Sequence, residues 1–180
     1  MNRENWPVTG AWLSLLLVAG CLHAVGAEGD ILFKAALLDN VCTFEQEDTP
    51  LEVTFPVRAL KYFQSYNRTE TESFVIGLKN CSAITQGKLV SLAFSFPQTQ
   101  IVDGVAMLKT AGDTGLVIAL VDGQGRAIVP DHAVEPGRIE NTGTGSVNRF
   151  TLGAYVLAPE GTRVRAGQYT ATTTFTVSYR

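Results

Sequence analysis

The sequence predicts an all-β protein, an antiparallel β-sandwich, and three observations carry that reading. First, the stretch from Gly167 to Arg180 alternates: Tyr169, Ala171, Thr173, Phe175, Val177 and Tyr179 share one parity, and Thr170, Thr172, Thr174, Thr176 and Ser178 the other. Successive side chains of a strand point to opposite faces, so this stretch is a strand with one mainly apolar face and one hydroxyl-bearing face. Second, roughly seven to nine short segments of strand character run along the chain with turn residues between them. Third, no segment carries a sustained helical stripe, which leaves two packed sheets as the way to bury these faces.

Taken in order, the elements begin with a targeting segment. Arg3 sits in a short polar start, Ala11 to Gly20 is nearly unbroken apolar, and Val25 and Ala27 are small residues placed for cleavage after Ala27. An apolar run of about ten residues is too short to span a bilayer, so residues 1–27 read as a secretory signal. Val18-Ala19-Gly20-Cys21 also resembles a bacterial lipoprotein box, the alternative in which Cys21 is lipidated. The mature chain, 28–180, has the length of one domain. The net charge is −3 without basic blocks, which argues against nucleic acid or an anionic membrane surface as a partner.

The next segment is a strand. Ile31, Phe33, Ala35 and Leu37 form one apolar face, ended by the Asp39-Asn40 turn. Cys42 and Cys81 are the cysteines left once Cys21 departs with the signal. One pair in an exported chain reads as a disulfide. Closing a loop of about 40 residues contributes roughly 4 kcal/mol on the chain-entropy model. Glu45 to Pro50 is an acidic turn without the spacing of a calcium loop. Leu51 to Val57 alternates as a strand, and Pro56 puts its end at a sheet edge or bulge. Arg58 to Thr71 is irregular, with room for one helical turn. Phe74 to Cys81 is a strand with Phe74, Ile76 and Leu78 on one face, so the bridge pins two strand ends together.

Leu89 to Phe96 and Gly115 to Val121 are further strands, and Asp122 to Gly125 is a hairpin turn leading to Ala127, Ile128 and Val129. Asp131 to Ser146, rich in Gly, Pro and Asn, reads as a long surface connection. Phe150 to Leu157 is the penultimate strand, and the alternating stretch already described is the last.

Catalytic groupings are not visible. His132, the one histidine of the mature chain, lies between Pro130 and Pro136 in a turn-rich stretch. A metal or a catalytic dyad needs partners that the sequence does not place beside it. Ser91 and Ser95 sit inside a strand pattern, not on a Gly-x-Ser-x-Gly turn. Nothing fixes the separation of Asp103 and Asp113 as an acid–base pair. Asn67-Arg68-Thr69 and Asn80-Cys81-Ser82 fit the glycosylation triplet, a short pattern that arises by chance. The reading is a protein that is not an enzyme and has no cofactor and no metal.

Several stretches together resemble a known family. They are Phe33-Lys34-Ala35 ahead of Cys42, Thr71 to Cys81, Gly115 to Leu120, Phe150 to Tyr155, and the ending from Gly167 to Tyr179-Arg180. With these, the mature chain resembles the pilus subunits of the bacterial chaperone–usher pathway. The ending is the most specific part, with a glycine about fourteen places from the C-terminus and a penultimate aromatic residue. Leu37-Leu38-Asp39 and Thr71 to Cys81 look closest to the minor tip or adaptor subunits of P-type pili. The resemblance implies an incomplete immunoglobulin-like sandwich, whose missing strand is donated by another chain.

The same resemblance implies a division into a donor segment, 28–40, and a pilin domain, 41–180. Ile31, Phe33, Ala35 and Leu37 would form the donor face. Gly167, Tyr169, Phe175, Val177, Tyr179 and Arg180 would form the acceptor groove and the chaperone contact, with the Arg180 carboxylate anchored to basic residues. The implied partners are a periplasmic chaperone, an outer-membrane usher and neighbouring subunits. The implied location is a cell-surface pilus supporting adhesion. Ala35 is a departure, because many members carry glycine there, and its extra methyl group suggests a role in ordering subunits. The competing reading is a self-contained β-sandwich adhesin or binding module.

Overall fold

The computed structural model describes residues 26–37, 41–46 and 49–180. The signal segment up to residue 25 with its Cys21, the Leu38 to Asn40 part of the turn, and positions 47–48 of the acidic loop lie outside the described residues. With strands numbered in chain order, one sheet contains β1 (Gly26–Leu37), β3 (Leu51–Ala59), β5 (Leu89–Ser95), β9 (Ala133–Arg138) and β11 (Gly167–Tyr179). Its order is β3-β1-β11-β5-β9. The other contains β2 (Thr43–Phe44), β4 (Glu72–Lys79), β6 (Thr99–Val102), β7 (Val105–Lys109), β8 (Val117–Val121) and β10 (Val147–Leu157), in the order β2-β4-β10-β8-β7-β6. The two sheets face each other across one main core, drawn from Phe55, Phe74, Ile76, Leu78, Leu92, Phe94, Leu108, Ile118, Leu120, Phe150, Leu152 and Val177, all buried. Among the described residues one α-helix, α1 (Leu60–Ser65), follows β3 and buries Phe63 against the core, and a single 3-10 turn covers Ala83–Thr85.

Local chemistry accounts for the irregular places. Pro56 sits on β3, an edge strand, where the β1 register slips from Ala27↔Arg58 to Gly29↔Phe55. Proline has no amide proton to give to a ladder, so an edge bulge is where it fits. Pro136 repeats the device on the opposite edge, where Val90↔Gly137 steps to Leu92↔Val134. That strand, β9, corrects the reading of 131–146 as connection throughout: an edge strand needs only one hydrogen-bonding side, and turn-like residues are tolerated on it. The β6–β7 hairpin is also absent from the sequence reading. Its two-residue turn is Asp103-Gly104, both at positive φ (51° and 79°), with Val102 paired to Val105. An Asp-Gly pair between alternating apolar residues is the signal that announces it. Conversely, Ala127 to Val129 is no full strand. Val121 bridges Ala127 and the Ile128 amide donates to the Leu120 carbonyl, while the Asp122 carboxylate gathers the Gln124 and Arg126 amides and the Arg126 guanidinium.

Cys42 and Cys81 form the anticipated bridge, both buried, at a sequence separation of 39. It fastens the start of β2 to the end of β4. Buried Asn148 braces the same corner, accepting the Glu140 and Asn141 amides at 2.9 and 3.0 Å through Oδ1.

The two ends of the chain meet. β1 lies between β3 and β11, antiparallel to β3 and parallel to β11, from Ala27↔Gly167 to Leu37↔Val177. The sequence reading assigns this position to a strand from another chain. Here the chain's own β1 holds it, because its Ile31 and Phe33 carry the apolar face that the space between the sheets requires.

The bridge gives this fold a testable stability term. Replacing both Cys42 and Cys81 by Ala should lower the unfolding free energy by about 4 kcal/mol, from loop-closure entropy alone. Urea unfolding of the oxidised protein against the double variant measures it.

Candidate functional site

The last strand supplies one wall of the site. Along β11, Tyr169, Ala171, Thr173, Phe175 and Val177 are buried, and Gln168, Thr170, Thr172 and Thr174 are exposed. The period-2 pattern is therefore a true division between core and solvent. Thr173 is the one polar side chain on the buried face. Its hydroxyl donates to the Ser95 carbonyl at 2.8 Å, so it sits there without an unmet hydrogen bond. The opposite wall is β3, with Val53 and Phe55 buried. Between them is a slot one strand wide.

β1 fills that slot through alternate residues. Ile31 and Phe33 are 0 and 1 % exposed, among the most buried side chains of the protein. The Phe33 ring lies 4.7 Å from Phe74, 6.3 Å from Phe94 and 6.5 Å from Phe175, centre to centre. It thus touches aromatic rings of both sheets, at separations that aromatic pairs prefer. Burying Ile31 and Phe33 is worth about 1.5–3 kcal/mol each, before the cost of ordering the segment.

The two ends of β1 fit differently. At the first, Gly29 pairs with Tyr169, whose ring lies over it; a Cβ on residue 29 would overlap that ring. Glycine is what lets the backbone pass so close. Burial pushes the Tyr169 phenol up to about 12, with the Asp30 carboxylate adding to the effect. At the other end, Ala35 pairs with Phe175 on the core-facing parity yet is exposed. Beside it opens a cleft of about 340 Å³ lined by Phe33, Phe44, Leu51, Ile76 and Phe175 and also by the polar Lys34, Gln46 and Thr49. A larger cleft of about 720 Å³, near Phe63, Asp103, Glu160 and Arg163, shares no lining residue with the slot.

Each residue singled out from sequence now has a place. Gly167 opens β11 at φ 156°, and Tyr169, Phe175 and Val177 line the slot. Tyr179 is half-buried against the core. Arg180 pairs its backbone with Leu89, and its guanidinium reaches Ser91 Oγ at 3.2 Å and Glu135 at 3.4 Å. Ile31 and Phe33 face inward and are buried, while Ala35 is exposed; Leu37 pairs with Val177 along the backbone, and its side chain lies outside the described residues. Phe94, Phe44 and Ala171 complete the walls without having been assigned to the site. Ala171 shares the inward parity of β11, and Phe94 stands opposite Phe175 in the β5 register, a pairing no single strand reveals.

His132 is exposed, with Nδ1 3.1 Å from the Pro130 carbonyl oxygen. Among the described residues no three His, Cys, Asp or Glu side chains gather as metal ligands.

Comparison with known proteins agrees with this geometry. Residues 31–180 match a family model described as fimbrial protein. The chain is 34% identical to the fimbrial adapter PapK of Escherichia coli over 182 residues, covering 96% of this chain and 98% of that one. It is equally identical, over the same shares, to the protein PrsK of Escherichia coli. Among solved structures, the P pilus rod subunit PapA superposes with a TM-score of 0.61 at 25% identity, covering 78% of this chain and 99% of that one. A chaperone–usher pilus subunit chain shares the fold at 22% identity and a TM-score of 0.60, over 97% of this chain and 99% of that one. The sandwich is the immunoglobulin-like one of pilus subunits, and the chain belongs to the fimbrial protein family.

Proposed function

We propose that this protein is a structural subunit of a chaperone–usher pilus, of the minor or adaptor kind, and that its slot is where it joins its neighbours. The observation that carries the reading is the slot itself. Its occupant supplies Phe33, the ring at the centre of the core, and meets the hydrogen-bonding edges of both β3 and β11. A fold whose central side chain arrives on a terminal segment can take that segment from another molecule at little change in packing. Adding a strand to an open sheet edge gives affinity through the backbone and specificity through alternate side chains.

On this reading residues 1–27 direct export and are removed. The segment 28–40 donates its Ile31, Phe33, Ala35 and Leu37 face to the next subunit. The domain 41–180 accepts, along Tyr169, Phe175, Val177 and Tyr179, first a strand of a periplasmic chaperone and then, at the outer-membrane usher, the segment of a neighbour. The Arg180 carboxylate anchors to the chaperone. The protein works at the cell surface as part of a fibre that supports adhesion, with no catalytic step. Likeness to the adapter PapK across nearly the whole chain supports the adaptor position. A self-contained binding module is the second reading, favoured by one observation: β1 closes the slot within a single chain.

Two substitutions separate these readings. Phe33→Asp should leave chaperone capture intact while reducing entry into the following subunit by about 100-fold or more, since it places a charge among Phe74, Phe94 and Phe175. Co-expression with the chaperone and the neighbouring subunit, followed by size-exclusion chromatography, measures both. Tyr179→Asp should abolish capture in a chaperone pull-down. Normal assembly by both variants would reject donor-strand exchange and favour the self-contained module.

A further inference from the structure

The chain contains two Asp-Gly pairs, Asp103-Gly104 and Asp122-Gly123, and the fold treats them in opposite ways. In such a pair the glycine nitrogen can close a five-membered ring on the aspartate carboxyl, and glycine has no side chain to obstruct the approach. At Asp122 the carboxylate is committed elsewhere. It is buried, its Oδ1 accepts the Gln124 and Arg126 amides at 2.9 Å each, and its Oδ2 accepts from Arg126 Nε at 2.6 Å. Burial alone would raise this carboxyl, but the Arg126 amide and guanidinium and the Gln124 amide outweigh it and hold the group below the usual carboxylate range. Asp103 and Gly104 are both exposed. Among the described residues nothing donates to the Asp103 carboxylate, and the Gly104 amide donates to nothing. A Cβ built on Gly104 would meet no atom within 4 Å, so the space around the turn is open. Asp103 also holds φ 51°, a left-handed conformation that strains a residue with a Cβ.

We propose that Asp103-Gly104 is a self-modification site, where the aspartyl residue converts to isoaspartyl and loosens the edge strand β6. The Gly104 nitrogen attacks Cγ of the protonated Asp103 carboxyl. The N–Cγ bond forms, the C–OH bond breaks, and the hydroxyl leaves with the amide proton as water. The product is a succinimide ring. Water then adds to the ring carbonyl that was the Asp103 backbone carbonyl and breaks its bond to the nitrogen. The chain now runs through Cβ and Cγ, with a free carboxylate on Cα. One water leaves and one enters, and nothing is oxidised or reduced. The turn is one backbone carbon longer. Two residues at positive φ form this turn and set Val102 opposite Val105, so its length fixes the register of the hairpin. Among the described strands β6 lies last in its sheet and pairs with β7 alone. Its Val102 is buried with Met107 in a small cluster apart from the main core. The lengthened turn therefore acts on a strand that little else holds in place.

The experiment ages the exported, oxidised protein in weakly acidic buffer made with water enriched in a heavy oxygen isotope. Each passage through the ring leaves one labelled oxygen at the site, and peptide mapping by mass spectrometry reads both Asp-Gly pairs in one sample. Label and isoaspartyl peptide should accumulate at Asp103 about tenfold or more faster than at Asp122, where at least one charge-assisted hydrogen bond must break first. In urea the two sites should react alike, which assigns the difference to the fold. Asp103→Asn keeps a favoured pair for this turn and makes the ring-closing step expel ammonia, so the change of mass follows the same ring directly. The aged form, separated by chromatography, should exchange the amides of residues 99–102 about tenfold or more faster than fresh protein, while those of β8 and β10 keep their protection. Equal rates at the two sites in the folded protein, or a faster reaction at Asp122, would overturn the site. Isoaspartyl at position 103 with unchanged exchange in β6 would overturn the loosening of the strand.

Discussion

Between β3 and β11 there is room for one strand, and the core depends on what that strand brings. Phe74 comes from one sheet, Phe94 and Phe175 from the other, and the Phe33 ring stands among all three. Without it the three rings would face a void or water, and large buried voids of this kind cost several kcal/mol. The hydrogen-bonding edges of β3 and β11 would also lose their partner, which an interior cannot tolerate. Packing and backbone pairing thus converge on one short segment near an end of the chain. The remaining strands hold this slot in shape: the Cys42–Cys81 bridge fixes the β2–β4 corner next to Phe44, and the β5 register sets Phe94 opposite Phe175.

Much of this was legible in the residues. The alternation of β11, the apolar parity of β1 and the cysteine pair are local patterns, and each translates directly into a face or a bridge. Pro56 announced its edge and bulge for an equally local reason. What was not legible is mostly non-local. Nothing in the stretch around Pro136-Gly137 marks it as a strand, because an edge position relaxes the residue requirements that identify strands elsewhere. The partnership of Phe94 with Phe175 depends on register between strands some eighty residues apart. The β6–β7 hairpin is the exception: its Asp103-Gly104 turn was in plain view.

The pairing of β1 with β11 is instructive for the same reason. Period and parity showed two amphipathic terminal strands but not which partner each would choose. A strand carrying the right face for this slot satisfies it equally from the same molecule or another one; the physics of the slot does not distinguish the source. Sequence pattern therefore fixes the kind of occupant, an amphipathic strand with large inward residues, and leaves molecularity to relative fit and concentration.

Relative fit is where the two small residues of β1 matter. Gly29 is small because the Tyr169 ring occupies its side-chain space, so enlarging it would be resisted by the fold. Ala35 is exposed on the core-facing parity, beside a cleft that Lys34, Gln46 and Thr49 share with the aromatic rings. The first smallness is demanded by packing. The second sits where the strand emerges from the core toward solvent. The contrast between Gly29 and Ala35 thus puts the tight end of the fit beneath Tyr169 and the loose end opposite Phe175, so the grip of the slot on its strand is concentrated in the residues from Gly29 to Phe33.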